Sequence, residues 1–329
     1  MIRFFLRRVF HAGILVFVTL TATFFIIHLA PGDPLSRYYS PGIDPQAMAT
    51  IRHQLGIDRP LPVQYAKTLW SYARGDFGFS IAAHRPVSDV LGETIPRTLM
   101  LTVSALVLQI TLGLLLGTVS AIKRYGAIDK SLSLVFLVLY SIPSFYFAFL
   151  LIAVFSLRLQ WLPSANMFSI PPDSGGLLAF LFDRAVHLVL PVTVLALGSA
   201  AALARYTRGS LLDVINQEFI QTARAKGLAE GRIVWRHAFK NALPRILTVV
   251  GLSVPFLLGG AVVIEKVFAW PGMGSLMVDS IFARDYPVVL AVNFVAACMV
   301  ILGNLMADLS CAWADPRVKL ATGQSEVRG

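Results

Sequence analysis

Residues 99–122 read LMLTVSALVLQITLGLLLGTVSAI and contain no Asp, Glu, Lys or Arg. A helix needs about 20 apolar residues to cross roughly 30 Å of hydrocarbon. A single charge at its centre would cost about 2.5–3.5 kcal/mol on an insertion scale. A buried helix of this length in a water-soluble core normally shows a polar stripe, and this stretch shows none. It reads as a membrane span, and that reading decides the fold.

Working outward, five further stretches free of charge qualify: residues 9–30, 132–157, 187–204, 246–264 and 288–307. The expected fold is therefore all-α, a polytopic membrane protein with six transmembrane helices. Composition agrees, with 56% hydrophobic and 14% charged residues against about 25% charged in an ordinary soluble domain. The fourth span is the shortest. It contains Pro191 and a run of small residues, Gly198 to Ala202, that suits close helix packing inside the bundle. Pro143, Pro191 and Pro255 are expected to kink their helices. The basic start Arg3, Arg7 and Arg8 precedes an apolar run too long for a secretory signal, so the first span reads as uncleaved.

Orientation follows from Lys and Arg in the short loops. With the N-terminus inside, the inner segments carry 17 basic residues and the two short outer loops carry 4. The expected topology is N-in, C-in. The net charge of +10 is thus mainly a topology signal, and nucleic-acid binding is set aside. Trp161, Tyr206, Trp270, Tyr286 and Trp313 lie just past the span ends, where amphipathic rings favour the interface.

Two connections are too long to be mere links. Residues 31–98 form an extracytoplasmic segment with two expected short helices. One starts at Asp44–Pro45 and ends at Gly56. The other runs from Pro62 to Arg74 with Val63, Ala66, Leu69, Trp70 and Ala73 on one face. That face could pack on the bundle, lie in the lipid interface or receive an external partner. Residues 205–245 form a basic cytoplasmic segment. Ser210 and Asp213 have capping-box spacing. Leu212, Ile215, Phe219 and Ala223 make an apolar stripe, and Gly227 ends the helix. A second helical stretch is expected from Ile233 to Ala242, before Pro244. A membrane-surface helix and a socket for a cytoplasmic motor would produce the same pattern.

The sequence lacks the GxxxxGK[ST] phosphate loop as well as HExxH, CxxC and GxSxG. Cys298 and Cys311 make neither a disulfide framework nor a metal spacing. Gly113 and Gly117 have helix-pairing spacing. Polar residues inside spans are candidates for lining a pore, here Gln109, Ser141, Asn293 and Asn304. Interhelical hydrogen bonds would explain them equally well.

Residues 224–244, RAKGLAEGRIVWRHAFKNALP, resemble the cytoplasmic EAA loop of ABC importer permeases of the oligopeptide and dipeptide (peptide/nickel) branch. The segments PGDP (31–34), QLGIDRPLPVQY (54–65), RGDFGFS (74–80), WPGMG (270–274), ARDYPVV (283–289) and ADPRV (314–318) are similar to the same family, in family order. The loop departs from its pattern. With Gly227 as the loop glycine, Gln221, Thr222 and Ala223 replace Glu-Ala-Ala. With Gly231, the nine-residue gap to the Leu-Pro end is met, but Ala225, Lys226 and Gly227 stand there instead.

The resemblance implies a single transmembrane permease domain over residues 1–329 with an ABC type I importer permease fold, in a bacterial inner membrane. It implies a second homologous permease, two ATP-binding subunits and an extracytoplasmic peptide-binding protein as partners. ATP and Mg would be bound by the ATPases, with no cofactor and no catalytic or metal site in this chain. The coupling helix would span about 211–226. Leu212, Ile215, Glu218, Phe219, Thr222, Ala223, Arg224, Lys226 and Gly227 would engage the ATPase, with Glu218, Thr222, Arg224 and Lys226 as the polar contacts. The cargo would be di- or oligopeptides, or a metal chelate or glutathione on the same machinery. A secondary transporter or channel acting alone is the alternative of another class. Such proteins often show internal repeats and mid-span charges, and neither is seen.

Overall fold

A computed structural model describes residues 2–29, 52–53, 58–169 and 176–314 of the 329-residue chain. The expected helix after Asp44 and the ADPRV segment beyond Ala314 lie outside the described residues, as does the side chain of Trp313. The chain forms two compact units, residues 1–98 with 271–299, and residues 99–270 with 300–329.

The described part is almost wholly helical. In order, α1 is Ile2–Leu29 and α2 is Leu61–Ala73. A two-stranded antiparallel hairpin of β1 (Phe79–Ser80) and β2 (Arg85–Pro86) follows. Then come α3 (Val87–Ile122), α4 (Ala127–Ser141), α5 (Ser144–Leu151), α6 (Gly176–Ile215), α7 (Glu218–Ala225), α8 (Phe239–Val267), α9 (Met273–Ala283) and α10 (Tyr286–Ala314). Four segments are long and apolar enough to cross a membrane: Phe10–Leu29, Val87–Ile122, Gly176–Ile215 and Tyr286–Met306. The α4–α5 pair would be a fifth if it counts as one span. Helix α8 covers the remaining apolar stretch, residues 246–264.

Several expectations are corrected. The third apolar stretch is broken, not kinked. Its two halves meet at 104°, because Ile142, which precedes Pro143, is extended at φ −77°, ψ 126°. Proline clashes with a helical residue before it. The fourth stretch belongs to a 40-residue helix that runs through Pro191. Pro244 does not stop its helix either and lies inside α8. Ala242 and Ile246, flanking it, are fully buried, and that packing outweighs the lost backbone bond. Trp270 is no interfacial ring. It is completely buried and packs in a core with Leu101, Leu195, Ile264 and Phe268.

In the first unit, α2 rests on α1 and α10 through Tyr65, Leu69 and Tyr72, which pack against Leu20, Phe24, Leu290 and Phe294. Of the face that could pack on the bundle, lie in lipid or receive a partner, one member packs against the unit and the others point away from it. Leu69 turns inward, but Val63, Ala66, Trp70 and Ala73 are exposed. The hairpin is pinned by Asp285, 1% exposed, which accepts from Ser80 Oγ at 2.6 Å and from the backbone N–H groups of Ile81 and Ala82. Thr98 Oγ1 accepts from Met273 N at 2.7 Å, satisfying a free donor at the start of α9.

Candidate functional site

The basic segment between α6 and α8 folds into a small module of the second unit. Its helix differs from the expected one. Helix α6 continues to Ile215, so Ser210 and Asp213 lie inside it and cap nothing. The chain breaks at Asn216 and restarts as α7. Ser210 is buried, and tertiary packing carries the helix past a local cap signal.

The end of α7 follows the sequence reading. Gly227 adopts φ +77°. Gly227 N donates to Arg224 O at 2.8 Å, and Leu228 N donates to Ala223 O at 3.3 Å. This is the Schellman arrangement, in which a left-handed residue lets the chain reverse while satisfying the last carbonyls. The left-handed region suits glycine because it has no Cβ.

The module is held from inside by Leu211, Val214, Ile215, Ile220, Ala223, Ile233, Ala238, Ala242 and Ile246, a buried cluster shared by α6, α7 and α8. Residues Ile233–Ala238 form a π-helical turn leading into α8. Two ion pairs tie its outside. Arg245 reaches Asp213 at 3.3 Å, linking the ends of α6 and α8. Across the Gly227 turn, Arg224 Nε meets Glu230 Oε1 at 2.7 Å and Nη2 meets Oε2 at 3.2 Å. The Arg224 guanidinium holds the Glu230 carboxyl below its ordinary range.

These contacts sort the sequence candidates. Glu218, Phe219, Thr222, Arg224, Lys226 and Gly227 are exposed on α7 and the turn after it, whereas Ile215 and Ala223 are buried core and Leu212 is half-buried. Arg224 is already paired within the module with Glu230, a partner that no sequence pattern singled out. The result is a module with an apolar floor and a mixed polar exposed surface.

Beneath the module, α3, α4 and α6 are joined closely. A Cβ added to Gly117 would meet Ala204 O at 2.6 Å and Thr207 Cβ at 2.7 Å, and one on Gly113 would meet Leu203 at 2.7 Å. The Gly113/Gly117 spacing thus serves packing within the bundle. Asp129, 3% exposed, accepts from Ser120 Oγ, Tyr125 N, and Arg208 Nε and Nη2. Sequence reasoning missed this pair. The signal was an acidic residue next to an apolar run in an otherwise basic segment.

The pore-lining candidates each make their own contacts. Gln109 is 1% exposed. Its Nε2 donates to Ser253 Oγ at 2.8 Å, and its Oε1 is buried without a hydrogen-bond partner. Ser141 is exposed at the α4 break and bonds Leu137 O at 2.8 Å. Asn293, half-buried in the first unit, bonds Val289 O at 3.1 Å. Asn304 is half-buried on α10. No hydrogen bond links two of these four among the described residues.

Known proteins show the same pattern along the chain. The family described as "Binding-protein-dependent transport system inner membrane component" matches residues 109–320, and its N-terminal companion family matches residues 1–102. The oligopeptide transport system permease protein AppB of Bacillus subtilis is 38% identical over 95% of this chain and 98% of its own length. The glutathione transport system permease protein GsiC of Escherichia coli K12 is 35% identical over 97% of this chain and 99% of its own. Among solved structures, an inward-facing form of the MetNI methionine ABC transporter superposes with a TM-score of 0.56. It has 19% identity and covers 69% of this chain and 96% of that one, a likeness of fold. With both halves of the sequence matched and two full-length relatives above one-third identity, the chain belongs to the family of binding-protein-dependent transport system inner membrane components.

Proposed function

We propose that this chain is one pore-forming permease subunit of an ATP-driven importer for di- and oligopeptides, with six spans and both termini on the cytoplasmic side of a bacterial inner membrane. The observation that carries the reading is full-length similarity to a permease named for oligopeptide transport, joined to a module at residues 211–246 that packs on its own buried apolar cluster. The pore is completed by a second, homologous permease. Two ATPase subunits receive the exposed tip formed by Glu218, Phe219, Thr222, Lys226 and Gly227. ATP and Mg are bound in those subunits. An extracytoplasmic binding protein delivers cargo to the opposite face. ATP-driven closure of the ATPase pair displaces the module, and its shared core with α6 and α8 passes the displacement to the spans.

A second cargo reading has its own support in the 35% identity to a glutathione permease, since glutathione is itself a tripeptide. Purification of the tagged chain from its native membrane tests the assembly. A second permease and ATPases should co-purify, and the complex in proteoliposomes should take up peptides only with ATP and the binding protein. Uptake by the chain alone would overturn the reading. Uptake of glutathione in place of longer peptides would move it to the second cargo.

A further inference from the structure

The outward face of α2 has no role in the coupling described above. Val63 and Trp70 are 45% and 61% exposed. Ala66, Lys67 and Arg74 are exposed on the same side, and the Arg74 guanidinium sits 4.3 Å above the Trp70 ring. Helix α2 itself contains no acidic residue. An aliphatic and tryptophan stripe flanked by cations is the composition of a helix lying in a phospholipid headgroup boundary.

The depth at which α2 is attached identifies its occupant. His28 near the end of α1 and Tyr286 at the start of α10 face each other at 5.9 Å, so these two helix ends lie at one level. Helix α2 is not fastened at that level. Tyr65 OH hydrogen-bonds Thr21 Oγ1 at 2.7 Å and its ring lies 5.3 Å from Phe24. Tyr72 packs edge-on to Phe294 at 5.3 Å. Thr21 is seven residues below His28, and Phe294 is eight residues beyond Tyr286. At 1.5 Å per residue both lie about 10–12 Å inside the helix ends. The headgroup zone on one side of a bilayer is only about 5–8 Å thick. Docked that far down two spans, α2 meets lipid on whichever side the protein does not cover.

We infer that α2 is an interfacial helix, with Val63, Ala66 and Trp70 entering the headgroup–acyl boundary and Lys67 and Arg74 meeting lipid phosphates. This rests on the spanning reading of α1 and α10. It assigns α2's exposed face to lipid and not to the external binding protein. It gives the adjoining hairpin a fixed height above the membrane.

The test uses nitroxide labels in the assembled complex in nanodiscs, with Cys298 and Cys311 changed to Ser. One label is placed by Val63→Cys. A control is placed by Val107→Cys, mid-way along α3 and 60% exposed. The expected result is that the position 63 label is several-fold more accessible to oxygen than to a water-soluble nickel complex, with or without the binding protein. Trp70→Asp should raise its nickel accessibility several-fold. Free nickel access in the absence of the binding protein overturns the inference, whether or not the binding protein later shields the label. If the position 107 label also lies in water, the spanning reading itself has failed. Lipid protection at 107 with water at 63 rejects the α2 assignment alone.

Discussion

Arg208 donates two hydrogen bonds to Asp129, Nε to Oδ1 and Nη2 to Oδ2, each 2.7 Å long. The pair fastens α6 to the start of α4, and Ser120 at the end of α3 donates to the same carboxylate. Three helices therefore meet at one nearly dry anion beside the module of residues 211–246.

Removing one member of that pair should be far worse than removing both. Asp129→Leu leaves a partly buried guanidinium unpaired and should destabilise by about 3–5 kcal/mol. The Asp129→Leu/Arg208→Met double variant should recover most of the loss. Thermal unfolding of the purified complex in detergent reads both. Equal melting of the single and double variants would refute the pairing.

The glycines that bring α3 against α6 should differ in tolerance. Gly117→Ala pushes a methyl into a backbone carbonyl that cannot move alone and should cost about 1–3 kcal/mol. Gly113→Ala meets the Leu203 side chain, which can yield by a rotamer change, so its cost should be smaller. The order of the two melting temperatures checks the packing.

At the tip of the module, Gly227→Ala must place a Cβ in left-handed backbone, at about 1–2 kcal/mol. Insertion into the membrane should be normal, while peptide uptake falls. Gly227→Asp and Thr222→Arg, which alter the exposed tip directly, should abolish uptake. Normal transport by these two variants would count against the tip as the ATPase contact.

The Arg224–Glu230 pair sets a pH response. Because Arg224 lowers the Glu230 pKa in the fold, its contribution is fully present above the ordinary glutamate range near pH 4.3 and is lost only as pH falls through the lowered value. Hydrogen exchange over residues 218–230 should stay flat from pH 8 down to about 5.5 after correction for intrinsic rates, then rise in acid. Glu230→Gln should exchange faster at neutral pH and lose that acid step. Both groups are exposed, so raised salt should narrow the difference.

In the first unit, Ser80→Ala removes one of the hydrogen bonds received by buried Asp285. A bond to a charged group is worth about 1.5–3 kcal/mol, and the loss should appear as faster proteolysis of residues 79–86 with the spans intact.

The division between legible and illegible features follows from the range of the forces. Charge-free runs and the α2 boundaries are local properties, and the structure places helices on those stretches. Gly227 was legible because a left-handed turn after a helix is a backbone requirement that one residue type meets without strain. The stop expected at Pro244, the cap expected at Ser210 and the interfacial ring expected at Trp270 were overruled by burial against residues distant in the chain.

The sequence by itself determined that this protein must be a helical membrane protein, because lipid solvates no charge and leaves no backbone group unpaired. It also determined that the helix before Gly227 must end there. Only the tertiary structure decided which residues of that helix form its floor and which its tip, that Arg224 is bound to Glu230, and that Asp129 is answered by Arg208. Those outcomes depend on which distant side chains share a volume, and hydrophobic contact is non-directional until the helices have packed.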